Sequence, residues 1–341
     1  MKRLVVDGWG KYVGKQSERI VVKEKGQTLH HEAVDDLRQV VVSGGGSISF
    51  DAIELLAAHG VDLVVVSWKG EITARLASRD MRTVQTRREQ YYAYREKRSG
   101  TIAKRIISAK IRNQYATLGT LAKSRKETSP EVADRLTEKR DAVQTQAQRI
   151  DELPEEPVDS LRGTIMGIEG ISSAHYWEAV SSIIPSEYEF DIRSGRYAQD
   201  PVNALLNYGY ALLEAEVWRA VHYAGLDPYG GFLHVDRPGR PSMVLDLMEE
   251  FRQQLIDKTV FALVTRREVS PDDFAVEEGA CRMGDRTRKH LLKTVLERFE
   301  EQVRYRDESR KWADMILFQA RNLAGYLRGE QTDYEGFYLR W

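Results

Sequence analysis

The sequence "RQVVVSGGGSISFDAIELLAAHGVDLVVVSWKG", residues 38–70, shows the alternation of strands and helix on which the fold prediction rests. Two valine-rich runs, broken by glycine and charged residues, stand at its ends and are spaced like strands. Between them, "SFDAIELLAAHG" has the pattern of an amphipathic helix, with Ser49 as its N-cap and Gly60 as its stop. Similar valine-rich runs occur earlier in the chain, as in "RLVVDG" and "RIVVKEK". Residues 1–80 are therefore predicted to form a small, β-sandwich-like domain with one helix.

Three consecutive glycines in this stretch, Gly44 to Gly46, invite comparison with a phosphate-binding loop. Such a loop requires Lys-Ser or Lys-Thr at a fixed distance after the glycines, and neither follows here. A turn between a strand and the helix explains the glycines instead. Nucleotide binding is not predicted at this position.

The pattern becomes helical from about residue 83 onward, where apolar residues recur every three or four positions. Residues 81–341 are therefore predicted to form a larger, all-α domain. Within it, "IDELPEEPVDS" at 150–160 has two prolines and no apolar period, which is typical of a linker or loop. The whole chain is predicted to be an α+β protein of two domains.

Composition narrows the class of protein. With 341 residues, of which 42% are hydrophobic, the chain is long enough for two domains with buried cores. Its single cysteine, Cys281, excludes an internal disulfide bond. The opening "MKRLVVDGWG" has too short an apolar run for a signal peptide, and no segment is apolar enough to cross a bilayer. A cytoplasmic protein is therefore expected.

The net charge of −1 conceals a strong local asymmetry. Residues 79–126 hold fourteen Lys and Arg against three Asp and Glu, a balance of +11, whereas residues 129–160 hold four against nine, a balance of −5. Tyrosines are interleaved with the basic residues, at Tyr91, Tyr92, Tyr94 and Tyr115. Two interpretations stay open: a solvated helix surface, or a contact with the phosphate backbone of nucleic acid.

Three predicted helices carry the candidate chemistry, and the first spans about 160–182. Small residues form one stripe along it: Gly163, Gly167, Gly170 and Ala174. A glycine inside a helix lowers its stability by about 1 kcal/mol relative to alanine. Close approach of another element to the helix backbone would explain why three glycines occur here. Glu169 lies off this stripe, and an ion pair with Arg162 is its plain structural explanation.

The second helix starts at Asp200 and Pro201, which supply an N-cap and a first-turn signal. A polar stripe runs along it, made of Asn203, Asn207, Tyr210 and Glu214. Buried polar side chains must find hydrogen-bond partners, so this stripe either knits the core together or lines a cleft.

The third helix begins just after the loop that carries His234, and it places Asp246 and Glu249 three residues apart on its polar face. Taken singly, the carboxylates fit the surface of an ordinary amphipathic helix, and the histidine fits a core or loop position. Together, two carboxylates and an imidazole match the ligand set of a catalytic Mg²⁺ or Mn²⁺ site. Arg237 and Arg240 in the loop would then meet a negatively charged substrate.

Four motifs occur in a fixed order: "GIEG" followed by "YW", then "DPVNALLNYGYALL", "GLDPYGGFLH" and "MVLDLMEEFR". In this order and with these gaps they closely resemble the CRISPR-associated adaptation integrases, the Cas1 proteins. The resemblance covers nearly the whole chain, because that family has a small N-terminal β domain followed by a larger helical catalytic domain. It implies a metal-dependent DNA endonuclease and integrase that acquires new CRISPR spacers.

In that family the Glu of the first motif, the His of the third and the last acidic residue of the fourth bind the metal. The resemblance thus implies Glu169, His234 and Glu249 as catalytic metal ligands, with Asp246 at a supporting acidic position beside the metal. Some members carry Asp at the position of Glu249, which lengthens the ligand here without changing its chemistry. The expected DNA contacts are Arg162, Tyr176, Asn207, Tyr210, Arg237 and Arg240.

The resemblance also implies a Mg²⁺ or Mn²⁺ cofactor and several partners. These are a short DNA duplex whose 3′ hydroxyls attack the CRISPR repeat, a second copy of the chain that meets it through residues 1–80, and the small Cas2 protein. Transesterification needs no ATP, and no ATP-binding motif is found. On the residues alone, two alternatives stay open: a metal-dependent hydrolase of a small phosphate ester, and a non-enzymatic DNA-binding scaffold.

Overall fold

The structure is a computed structural model that describes residues 2–67, 72–76, 83–195, 197–277 and 279–339. The chain divides into two compact units, Met1–Arg82 and Thr83–Trp341. The boundary expected between residues 80 and 81 lies outside the described residues. Strands dominate the first unit and helices the second, which is the mixed α+β organisation predicted from the sequence.

Among its described residues, the first unit contains two four-stranded sheets. Its strands are β1 (Lys2–Asp7), β2 (Lys11–Gln16), β3 (Arg19–Glu24), β4 (Gln27–Ala33), β5 (Leu37–Ser43), β6 (Gly46–Ile48), β7 (Asp62–Val66) and β8 (Ile72–Leu76), and its helix is α1 (Phe50–Ala58). One sheet has the order β1-β5-β7-β8, and the other has the order β4-β3-β2-β6. Strands β1, β5 and β7 run parallel, which explains their nearly continuous runs of valine.

One apolar core lies between these sheets and helix α1. Leu4, Val40 and Leu63 from the first sheet pack with Val22 from the second and with Leu56 of α1. The predicted N-cap is confirmed, because the Oγ of Ser49 accepts a hydrogen bond from the backbone N–H of Ala52 at 3.2 Å. The predicted valine-rich strands are confirmed as β1, β3, β5 and β7, and the end of the last run, at residues 68–70, lies outside the described residues.

The glycines after β5 serve close backbone packing. Gly44 has a φ of +137°, and a Cβ there would collide with the carbonyl oxygen of Gly8. A Cβ on Gly46 would collide with the carbonyl oxygen of Lys11. The glycines connect β5 to the short strand β6 before the helix starts, so the expected strand-to-helix turn contains one more strand than predicted.

The second unit is built chiefly from nine α-helices among the described residues. They are α2 (Gln85–Tyr94), α3 (Lys97–Arg125), α4 (Pro130–Asp151), α5 (Val158–Ser181), α6 (Pro201–Tyr223), α7 (Ser242–Met248), α8 (Lys258–Thr265), α9 (Asp285–Glu300) and α10 (Trp312–Leu327). Helix α3 packs along both α4 and α5, and α6 packs against α7 and α10. Over the part of the chain described, none of the helices combines the length and the apolar character that crossing a bilayer requires.

The prediction that this unit is all-α is wrong in detail. Two short hairpins interrupt its helices, β9 (Phe274–Glu277) with β10 (Ala280–Met283), and β11 (Gln302–Tyr305) with β12 (Glu308–Lys311). Their strands are only four residues long, which is too short to show a two-residue apolar period against the surrounding helical pattern. Both hairpins lie in the last quarter of the chain.

The glycine stripe of α5 does not pack as predicted. A Cβ on Gly163, Gly167 or Gly170 would have no other atom within 4 Å, so no element approaches the helix there. All three residues are exposed, as is Ala174 at the end of the stripe. The stripe is an open, smooth track that ends beside the pocket described below.

Because the stripe is open, Gly163→Ala should raise the free energy of unfolding by about 0.5–1 kcal/mol. Urea denaturation of the full chain measures this change. Gly100→Ala is the matched control in helix α3, since a Cβ there would collide with the carbonyl oxygen of Glu156 and should destabilise the protein. A destabilised Gly163→Ala variant would show that the track is packed after all.

Candidate active site

The loop that carries His234 is fixed at both ends. Helix α6 stops in a Schellman motif, in which Gly225 has a φ of +77° and Leu226 N–H bonds to the carbonyl of Val221 at 3.1 Å. Further along, a Cβ on Gly231 would lie 2.6 Å from the Cβ of Ser242, so only glycine lets the loop pack this closely on the start of α7. The loop is therefore held against α7 by its glycines.

Asp246 of α7 is fully buried and organises this loop. Its Oδ2 accepts hydrogen bonds from the backbone N–H groups of Phe232 and Leu233 at 2.6 and 2.9 Å. Its Oδ1 accepts from the backbone N–H of His234 at 3.0 Å and lies 2.7 Å from Nδ1 of the same residue. With Nδ1 donating to this carboxylate, Nε2 is the nitrogen that carries a lone pair for a ligand bond.

Arg162 of α5 holds the same loop from the other side. Its Nε donates to the carbonyl of Leu233 at 3.0 Å, and its Nη2 donates to the carbonyl of Phe232 at 3.1 Å. Its Nη1 is engaged by Asp159 at 2.5 Å. The ion pair expected between Arg162 and Glu169 is not formed, because the guanidinium bonds to the His234 loop and to Asp159 instead. Direct contact of Arg162 with DNA stays a prediction.

Glu169 and Glu249 meet at one buried cation. The Nζ of Lys110, on helix α3, lies 2.6 Å from Oε1 of Glu169 and 2.7 Å from Oε2 of Glu249. Ser173 donates a further hydrogen bond to Oε1 of Glu169 at 2.7 Å, and Arg252 Nε lies 3.2 Å from Oε1 of Glu249. The fold thus brings together two carboxylates that are far apart in the sequence.

The surroundings keep Glu249 ionised. Burial opposes its negative charge, but the positive charges of Arg252 and Lys110, with a smaller contribution from the nearby His234 ring, outweigh that effect and lower its pKa to about 2. His234 is therefore near enough to Glu249 to act on it electrostatically. The Oε2 atom of Glu249 is buried, and its partner is the Lys110 ammonium at 2.7 Å.

These donors suit a hard divalent ion, but they are not yet gathered around one point. Within the described ranges, no three His, Cys, Asp or Glu side chains form a group that could hold a metal as they stand. The ammonium of Lys110 occupies the position between Glu169 and Glu249 instead. Two carboxylates and an imidazole nitrogen are the ligands that Mg²⁺ and Mn²⁺ accept, so the chemistry of the donors fits.

A cleft of about 640 Å³ opens beside the two glutamates. Gly170 and Ala174, the end of the open track on α5, form part of its wall. Gln253 also lines it, and the Oε1 of this 2% exposed side chain has no hydrogen-bond partner. The cleft therefore offers a smooth wall, two carboxylates and an unsatisfied amide to whatever enters it.

The polar side chains of α7 and of the turn just after it are not on a solvated surface, which rejects the simpler interpretation of that helix. Asp246, Glu249 and Gln253 are at most 5% exposed. The helix breaks after Met248, where three successive N–H groups bond to carbonyls three residues earlier, and it resumes through a π-helical turn at Gln253–Asp257. Such turns are frequent at functional sites because they re-aim side chains.

Two tyrosines expected at the DNA are buried. Tyr176 has no exposed surface and donates a hydrogen bond to Asp257 at 2.9 Å, so the expected DNA contact by its side chain is wrong. Tyr210, 8% exposed, donates to the same carboxylate at 2.5 Å and lies at the wall of the cleft. Burial raises the pKa of Asp257 to about 6 despite these two hydrogen bonds.

The polar stripe of α6 divides between core and cleft. Asn203 is fully buried and bonds to the N-cap Asp200, which identifies it as part of the core. Asn207 accepts a hydrogen bond from Arg193 at 2.7 Å, and Arg193 lines the cleft. Both alternatives for the stripe therefore apply, each to different residues.

Arg237 and Arg240 lie in the loop between His234 and α7. Arg237 is exposed and Arg240 is half-buried. Their position leaves them as candidate contacts for a negatively charged substrate.

Much of the basic block is neutralised within the protein. Lys104 pairs with Glu155 at 2.6 Å, and Arg112 pairs with Asp151 at 2.6 Å, so the acidic segment that follows balances part of α3. Several other basic side chains of the block are exposed: Arg88, Arg95, Lys97, Lys123 and Lys126. Lys110, the member of the block that reaches the site, was not singled out by the sequence pattern.

Known proteins resemble this chain both in sequence and in structure. The family model described as CRISPR associated protein Cas1 matches residues 4–297. A CRISPR-associated endonuclease Cas1 from Archaeoglobus fulgidus is 46% identical over 99% of this chain and 100% of its own length. A casposase bound to integration product is similar in structure, with a TM-score of 0.83 at 24% identity over 98% of this chain and 93% of that one. A chain in a Cas6-RT-Cas1–Cas2 complex gives a TM-score of 0.82 at 18% identity over 100% of this chain and 36% of that one.

The matched family model spans most of the chain, and the archaeal relative is alike along its full length. The chain belongs to the Cas1 family of CRISPR-associated proteins. This confirms the family identified from the four sequence motifs. The prediction of a nuclease is confirmed as well, because two relatives that match along their full length are CRISPR-associated endonucleases.

Proposed function

We propose that this Cas1 protein is a divalent-metal-dependent DNA endonuclease and integrase of CRISPR adaptation. It joins the 3′-hydroxyl ends of a short DNA duplex to the repeat array by transesterification. The observation that carries the proposal is the meeting of the Glu169 and Glu249 carboxylates at one buried cationic position. A histidine held through Nδ1, His234, completes a ligand set of two oxygens and one nitrogen.

In this proposal Glu169, Glu249 and Nε2 of His234 hold Mg²⁺ or Mn²⁺. When bound, such an ion supplies a Lewis acid that makes a phosphodiester phosphorus more electrophilic and stabilises the charge on the leaving oxygen. Asp246 does not bind the ion, because both of its oxygens already accept hydrogen bonds from the His234 loop. It acts as a positioning residue that fixes the tautomer and direction of the imidazole.

The same geometry suggests how DNA reaches the site. The open track on α5 leads to the cleft, and its lack of side chains lets a bulky backbone approach Glu169 closely. Arg237, exposed in the His234 loop, and the exposed basic residues near α2 would bind phosphates without reading sequence. Asn207 and Tyr210 act at the cleft wall through Arg193 and Asp257, and not as free DNA contacts.

Membership of the Cas1 family supports three partners: DNA, a second copy of this chain and a Cas2 protein. A structural neighbour lies in a complex with Cas2, and another is bound to integration product. We assign the dimer contact to the domain at residues 1–80, and the catalytic role to residues 81–341. The cytoplasm, where CRISPR DNA is accessible, is the expected compartment.

A strand-transfer assay tests the proposal. A short duplex with 3′-hydroxyl ends and a supercoiled repeat plasmid should give joined product with Mn²⁺ or Mg²⁺, and none with EDTA. The matched control is the same duplex with 3′-dideoxy ends, which lacks the attacking hydroxyl and should give no product under any condition.

Three other results of these assays would contradict the proposal in different ways. Equal strand transfer in EDTA would contradict the metal dependence. Metal-dependent hydrolysis of p-nitrophenyl phosphate without strand transfer would indicate a small-ester hydrolase. Salt-sensitive DNA binding with no metal-dependent chemistry would indicate a scaffold.

A further inference from the structure

Lys110 is the buried cation of the site and has no counterpart among the expected ligands. Its ammonium contacts Glu169 and Glu249 at 2.6 and 2.7 Å, and its side chain is 13% exposed. We propose that Lys110 is the counter-ion that balances the charges of Glu169 and Glu249 while no metal is bound. This inference rests on the proposed metal site. The incoming metal ion must displace the Lys110 ammonium from between the two carboxylates.

Glu169 and Glu249 need a neighbouring positive charge for electrostatic reasons. Two carboxylates brought together in a buried site repel one another, and buried charges need a partner of opposite sign. Glu249 is 5% exposed, so water does little to relieve this repulsion. The ammonium of Lys110 neutralises the pair and lets the site fold with both ligands close together before any metal arrives.

The ammonium of Lys110 and a metal ion would also occupy the same space. The ammonium nitrogen lies within hydrogen-bond distance of one oxygen from each glutamate, which is the place that a cation shared by both would take. Mg²⁺ binds carboxylate oxygens at about 2.0–2.1 Å, closer still than the nitrogen lies. Two cations cannot share that space, so Lys110 and the metal compete.

The ammonium of Lys110, once displaced, has room to move into the cleft. Lys110 lines the cleft of about 640 Å³ together with Glu169 and Glu249. A lysine has a flexible four-carbon stem, so its head can swing into this cleft while helix α3 stays in place. There it would be available to a DNA phosphate, and the substrate would favour the displaced position.

Removing the competitor should therefore strengthen metal binding. Lys110→Met keeps the length of the side chain and loses its charge, and we expect the variant to bind Mn²⁺ at least about tenfold more tightly than the natural protein. The Mn²⁺ dissociation constant of the full chain, measured from the electron paramagnetic resonance signal of free Mn²⁺, gives the result without any activity assay. The Tm in EDTA should fall, and its rise on adding Mn²⁺ should be larger than in the natural protein.

Lys104→Met is the matched control. Lys104 lies on the same helix, is buried, and pairs with one carboxylate at 2.6 Å, but it is not at the site. Its replacement should leave the Mn²⁺ affinity unchanged. If Lys110→Met does not fold without metal, Lys110→Gln retains hydrogen-bond donors for both glutamates and tests the same loss of charge.

A purely structural role for Lys110 would give the opposite change in Mn²⁺ affinity. If Lys110 only ties α3 to the glutamates, its loss would let them separate, and Mn²⁺ would bind more weakly or equally in both Lys110 variants. Either result would overturn the inference, provided that the natural protein binds Mn²⁺ and performs strand transfer. A natural protein that binds no Mn²⁺ at all would instead contradict the proposed function.

Discussion

His234→Ala is expected to reduce strand transfer and DNA cleavage at least about a hundredfold. Even the loss of an outer partner of a metal ligand costs about ten- to a hundredfold, and the loss of the ligand itself should cost no less. Initial rates of strand transfer at saturating Mn²⁺ measure the effect. His234 is only half-buried and its loop is held chiefly through backbone groups, so the fold should persist.

The control for this variant is its DNA binding. Affinity for the short duplex at fixed salt should stay within a fewfold of the natural value, because phosphate contacts by basic residues supply most of it. A His234→Ala protein that retained Mn²⁺-dependent strand transfer would contradict the assignment. A variant that lost DNA binding together with activity would show that the histidine supports the fold or the substrate contact instead.

Asp246→Asn is expected to damage both stability and activity. The amide keeps one oxygen and replaces the other with an NH₂ group, which is a donor. This donor would face backbone N–H groups of the His234 loop, which would lose their acceptor. An unsatisfied buried polar group costs about 1–3 kcal/mol, so the free energy of unfolding should fall by about 2–4 kcal/mol. Mn²⁺ affinity should weaken about ten- to a hundredfold, as expected for a residue that acts through a ligand.

Denaturation in urea and Mn²⁺ titration of the same sample separate these two effects. Asp246→Ala, which removes the oxygens without adding a donor, should weaken Mn²⁺ binding similarly, because His234 again loses its orienting partner. Natural stability together with natural Mn²⁺ affinity in Asp246→Asn would show that the buried carboxylate does not hold the loop.

Sequence pattern predicted the parts of this protein that depend on neighbours along the chain. The N-cap at Ser49 and the start of α6 at Asp200 are local hydrogen-bond signals, and both occur as predicted. The family motifs identified the candidate ligands because they lie at fixed offsets within short segments. Each of these features can be read from a dozen residues or fewer.

The sequence could not predict features that depend on which elements meet in space. Lys110 looked like one more member of a basic block, and only the fold shows that its partners come from α5 and the end of α7. The open track on α5 was expected to be packed, since a stripe of glycines does not reveal whether a partner helix is present. The break after Met248 was also missed, because Glu249 and Gln253 continue the helical period that the backbone abandons.

The proposed site requires that Glu169, Glu249 and His234 bind one divalent ion. The most direct measurement is pulsed electron paramagnetic resonance of the Mn²⁺-loaded protein, which detects a nitrogen bonded to the metal. We expect a nitrogen coupling that disappears in His234→Ala and remains in His290→Ala, whose imidazole contacts Glu268 on the surface. A nitrogen signal that survives in His234→Ala, or none in the natural protein with Mn²⁺ bound, would contradict it.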